Sequence, residues 1–118
     1  MNGNFIGVLR WTANAGIDLS ANQNKALKMN SAGDVLAITA KTDTVVGVQT
    51  NVAALSQEVA IESRGIELMV CGGAVTAGAK VEITATGTII NATTGATVVG
   101  TALETGVNTS IVSVSVNV

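Results

Sequence analysis

The chain has no histidine, no proline and no tyrosine, and a single cysteine, Cys71. Without histidine there is no Ser-His-Asp or Cys-His arrangement and no imidazole metal ligand. One cysteine leaves zinc without a ligand set and rules out an intrachain disulfide, so no covalent staple holds the fold. Aromatic residues are limited to Phe5 and Trp11. Charged residues make up 12% of the chain, against a usual share of about 25%.

Long hydrophobic runs are missing as well. The densest stretch, Ile66 to Val75, is broken by Glu67 and by Gly72-Gly73. It falls short of the roughly 18 consecutive apolar residues of a spanning helix, so no membrane partner is expected. The opening Met1-Asn2-Gly3-Asn4-Phe5 has no basic segment before a long apolar one, and no signal peptide is expected. Arg10, Lys25, Lys28, Lys41, Arg64 and Lys80 are scattered and the net charge is −2, so the cationic footprint of a nucleic-acid binder is absent. Gly72-Gly73 is not followed by the Lys-Ser/Thr of a phosphate loop, and no acidic calcium loop occurs.

The remaining chemistry is thin. Cys71 lies in an apolar strand context and reads as an inert buried thiol. Glu58, Glu62 and Glu82 each alternate with Val or Ile, which predicts solvated carboxylates on outward faces. Asp34 and Asp43 fall in turns, where aspartate is favoured for local hydrogen bonds. No catalytic residue, metal or cofactor is expected, and the chain reads as a building block rather than an enzyme.

What the chain does have is strand signal and an internal repeat. Val112, Val114, Val116 and Val118 alternate with Ser113, Ser115 and Asn117, the period of a half-buried strand. Val59 and Ile61, then Val81 and Ile83, repeat that pattern; Ile66, Leu68 and Val70 mark a further strand. Thr44-Val45-Val46-Gly47 returns as Thr97-Val98-Val99-Gly100. Around these copies Leu27, Met29, Gly33 and Val35 correspond to Val81, Ile83, Gly87 and Ile89, while Val59 and Ile61 correspond to Val112 and Val114. The spacing of about fifty residues suits two similar β units sharing one core better than a solenoid.

The expected fold is therefore all-β, a small barrel or sandwich built from two similar units, with an extended N-terminal arm. Residues 1–24 form the arm, or a first strand and loop. Residues 25–118 form one β domain, with repeat units at about 25–62 and 79–118 joined by a strand at 65–71. Phe5, Ile6, Val8, Leu9 and Trp11 concentrate bulk within a few positions and are the candidate partner-binding residues. Trp11 has a second reading, as a plug of the β core. Deleting residues 1–11 is expected to abolish docking while leaving the β core folded; unfolding of the shortened chain would instead mark Trp11 as a core residue.

Several segments resemble the head decoration, or cement, proteins of tailed bacteriophages. These are Ala32-Gly33-Asp34-Val35-Leu36, Thr44-Val45-Val46-Gly47-Val48, Ala77-Gly78-Ala79-Lys80-Val81, Val98-Val99-Gly100-Thr101-Ala102-Leu103 and the closing Ile111 to Val116. The resemblance covers about residues 25–118. It implies a compact β domain, made in the host cytoplasm, that sits on the outer capsid surface of the virion. There it binds the major capsid protein as a homotrimer and stabilises the expanded shell, with residues 1–24 adding a strand to an exposed edge. The alternatives are a tail or head-fibre component, or a carbohydrate- or ligand-binding β module.

Overall fold

The computed structural model describes residues 8–118. Alternating Val, Ile and Thr between Gly-rich turns produce strands and, among the described residues, no helix. The strands are β1 (Leu9–Asn14), β2 (Ala26–Met29), β3 (Val35–Ala37), β4 (Gly47–Gln49), β5 (Glu58–Val70), β6 (Lys80–Ile83), β7 (Ile89–Asn91), β8 (Val98–Ala102) and β9 (Ile111–Asn117). They form one curled antiparallel sheet in the order β3-β2-β4-β5-β9-β8-β6-β7, with β1 added against β5. The all-β expectation therefore stands.

The sheet has an internal symmetry. β2 pairs β3 and β4, and β4 pairs β5; likewise β6 pairs β7 and β8, and β8 pairs β9. β1 on the first half of β5 matches the second half of β5 on β9: Asn14 faces Glu58 as Val70 faces Ile111. Parallel bridges from Ala15 to Val35 and from Cys71 to Ile89 then curl each unit toward a small, partly closed barrel. Gly16 N donates to Val35 O at 2.9 Å and Gly72 N donates to Ile89 O at 2.8 Å. Ser56 and Thr109, at φ 68° and 74°, occupy matching left-handed positions before β5 and β9.

The repeat is thus wider than the sequence correspondences. The strand expected at 65–71 is the second half of β5, continuous with the one at 58–62. Its counterpart is β1, so the described part of the opening segment is a first strand followed by a loop.

Thr-Val-Val-Gly recurs for a steric reason. Gly47 lies in β4 beside its neighbour β5, and Gly100 lies in β8 opposite Val116 of its neighbour β9. A Cβ on Gly100 would collide with Ser115 O, and one on Gly47 with the Ile61 side chain. Only glycine lets the strands approach this closely.

Apolar side chains gather in two clusters. The first unit packs Ala15, Leu19, Leu27, Val35, Ala53, Val59 and Ile61, with Trp11 and Ala13 against them. The second cluster joins Met69, Val81, Ile83, Ile89, Val112, Val114 and others to Ala26, Ile38, Val45 and Val48 of the first unit. The units therefore share apolar packing across their boundary, and backbone bonds cross it too: Val70 N to Asn24 O at 3.0 Å and Ala26 N to Gly87 O at 3.0 Å.

Two stability outcomes follow from this packing. Gly100→Ala is expected to cost about 3 kcal/mol, the upper end of overpacking, read as a lowered urea midpoint. Removing residues 1–11 strips the upper part of β1 and the Trp11 ring, so the truncated chain is expected to lose its cooperative unfolding transition.

Candidate interaction surface

The candidate residues at the chain start fall into three environments. Phe5 and Ile6 lie outside the described residues. Val8 and Leu9 are exposed. Trp11 is half-buried against the first core, and its Nε1 donates to Ser63 Oγ at 2.8 Å. Ser63 Oγ in turn donates to Val46 O at 2.6 Å. The indole thus has both its apolar body and its N–H satisfied inside the first unit.

The carboxylates correct one expectation. Glu58 is exposed, but Glu62 and Glu82 are buried rather than solvated. Period-two alternation puts them on the face opposite Ile61 and Ile83, and neighbouring strands and loops cover that face as well. Arg10 Nε donates to Glu62 Oε1 at 2.7 Å from an exposed side chain. Glu82 Oε1 accepts Thr93 N at 2.9 Å and Thr94 N at 3.0 Å, and the Thr94 hydroxyl donates to Oε2. The Thr94 bonds are the main reason the Glu82 carboxyl is held below the usual glutamate range.

The first unit holds the matching turn differently. There Asp43 Oδ2 accepts Thr39 N and Ala40 N, each at 3.0 Å, and Lys28 Nζ lies 3.3 Å from it. The Thr39 and Ala40 amides are the chief cause of the lowered Asp43 pKa. Both carboxylates therefore act as turn anchors, bound to amides rather than poised for proton transfer.

Cys71 is buried at the closing bridge of the second unit, and burial pushes its thiol up, away from the reactive thiolate. Beside it lies an open cleft of about 500 Å³ lined by Lys25, Gly72, Asn108 and the threonines 84, 86 and 88, among others. Those hydroxyls bond to one another, Thr84 to Thr88 at 2.6 Å. Among the described residues no group of three or more Cys, Asp or Glu side chains gathers to hold a metal.

The exposed aliphatic residues are more distinctive. Ile66 and Leu68 of β5, Ile111 of β9 and Leu103 just after β8 are 65%, 45%, 52% and 46% exposed. The sequence marked Ile66, Leu68 and Val70 as a strand. The burial of Met69 and Val112, which face each other in the register, shows that the other side of that strand is the core side.

No family model matches the chain, and no curated protein matches it. Its fold is similar to a solved structure, the N base of head fiber gp8.5 of bacteriophage phi29. The TM-score is 0.67 at 15% sequence identity, over 94% of this chain and 95% of that one. This is a likeness of fold.

Glu82→Gln tests the turn anchor. A carboxyl whose folded pKa is depressed stabilises above its unfolded pKa, and that contribution disappears as pH falls through the folded value. The variant is expected to melt below the parent at pH 7. The gap between the two melting curves should narrow as pH falls below the ordinary glutamate range.

Proposed function

We propose that this chain is a structural protein of a tailed-phage head, carried on the outer surface of the shell and without catalytic activity. The observation that carries the reading is the fold likeness to a head-fibre base over nearly the full length of both chains. The sequence motifs, read separately, resemble proteins of the same place on the virion. The chemistry agrees: carboxylates spent on turn anchors and a buried thiol suit a module that binds through surfaces. A rigid β unit with few charges gains from repetition, because weak contacts add when many copies sit on one lattice.

Two finer readings share this ground. In the decoration reading, suggested by the motifs, homotrimers bind the major capsid protein and stabilise the expanded shell. In the head-fibre reading, favoured by the fold likeness, the chain is the attachment base of a sparse appendage.

Quantitative mass spectrometry of purified virions, scaled to the major shell protein, tests the proposal. The chain is expected in the particle. On the order of one copy per shell subunit supports decoration, since lattice symmetry fills every equivalent site. A small fraction of that ratio supports the fibre base. Absence from particles overturns both.

A further inference from the structure

The two units hold matching strands by different means. In the second unit the strand beside β9 is the second half of β5, and it is continuous with the first half. Its counterpart in the first unit is β1, which starts at Leu9. β1 is not continuous with β9 as the two halves of β5 are with each other. The strands only meet: Leu9 and Asn117 both face Arg64, and Val118 N donates to Ser63 O at 3.0 Å. Among the described residues β1 is paired to β5 alone, with the bridge from Ala15 to Val35 beyond its far end.

Two side-chain ties sit at the start of β1. Arg10 Nε donates to Glu62 Oε1, and Trp11 Nε1 donates to Ser63 Oγ, which donates on to Val46 O. Both fall at an irregularity in the register, which steps from Arg10–Glu62 to Leu9–Arg64 and passes over Ser63. Such bulges re-aim a strand or end its pairing. The duplication shows that the fold itself does not require these ties. Arg10 pairs Glu62 as Ile66 pairs Ser115, and Trp11 pairs Ile61 as Glu67 pairs Val114. Arg10, Trp11, Glu62 and Ser63 thus correspond to Ile66, Glu67, Ser115 and Val116, which can form neither tie. Glu62 is moreover a costly residue to keep. Its side chain is fully buried, and among the described residues its Oε2 has no hydrogen-bond partner. A Cβ on Gly65 would stand 2.8 Å from that oxygen.

We propose that Arg10–Glu62 and Trp11–Ser63 form a latch that holds the start of β1 in register, in place of the chain continuity that holds its counterpart. Glu62 is a positioning residue and acts through Arg10. The buried carboxylate has its one charge partner on β1, on a side chain that is 68% exposed. Lifting β1 strips the carboxylate of that partner, and a buried charge left alone is strongly unfavourable. The pair therefore opposes the opening of β1 in particular, whatever it adds to the stability of the whole. With β1 latched, the exposed Val8 and Leu9 are presented from a fixed corner of the sheet. The inference is independent of any place in a virion.

Native-state hydrogen exchange of the full chain, read by mass spectrometry, tests the latch by comparing residues 9–14 with the matching residues 66–70. In the wild type the two strands are expected to exchange at similar rates. Glu62→Ser installs the second unit's own residue and removes the buried charge. It is expected to speed exchange in residues 9–14 by about ten-fold while residues 66–70 keep their rate. Trp11→Phe keeps an aromatic ring and removes the indole donor. It is expected to act in the same direction, and it keeps the test if Glu62→Ser fails to fold. Glu58→Gln, at the far end of the same strand pair, is expected to exchange as wild type. Three results would each overturn the latch. One is a wild type in which residues 9–14 already exchange far faster than 66–70. Another is a Glu62→Ser chain in which 9–14 keep the wild-type rate. The third is equal acceleration of both strands, the mark of a general loss of stability.

Discussion

Strand β5 is the element on which the rest of the structure depends. Its first half closes the first unit against β1 and β4, and its second half opens the second unit against β9. No linker separates the two, so neither unit can move without bending a continuous strand. The change of partners falls at Gly65, whose φ of 135° suits glycine. A Cβ there would press on Glu62 Oε2 at 2.8 Å. The shared strand also explains the mixed core: Val45 and Val48 of the first unit pack with Val99 and Val116 of the second. Unfolding either unit exposes apolar surface of the other, which favours one cooperative transition.

The duplication preserves backbone devices and lets side chains drift. Left-handed Gly33 and Gly87, the close-approach Gly47 and Gly100, and the closing bridges at Ala15 and Cys71 all occur twice. The turn at Thr39-Ala40 and its counterpart at Thr93-Thr94 both need a carboxylate on their amides. In one copy Asp43 supplies it from within the turn, and in the other Glu82 supplies it from a strand. The physical requirement, a partner for two amides, was kept while the residue that meets it moved.

This division between conserved scaffold and divergent surface frames the function. Under the proposed function the chain acts through its surfaces, so what those surfaces exclude and offer matters most. Here one unit offers polar side chains along its outer face and the other offers aliphatic ones. The scarcity of charge noted in the sequence thus has a location as well as a value.

The sequence by itself determined the fold class, the duplication and the strand pattern, because period-two alternation and glycine placement are local properties of the chain. It also located Cys71 correctly as a buried thiol. Alternation distinguishes two faces of a strand but does not say which is covered. The burial of Glu62 and Glu82, and the exposure of Ile66 and Leu68, were therefore decided by tertiary packing. The pairing of β1 with the first half of β5 was hidden for a related reason. Arg10-Trp11-Thr12-Ala13 and Ile66-Glu67-Leu68-Met69 share a register without sharing residues, and only the sheet brings that equivalence into view. Long-range strand partners are set by which faces bury each other, and that is a property of the whole chain rather than of any segment.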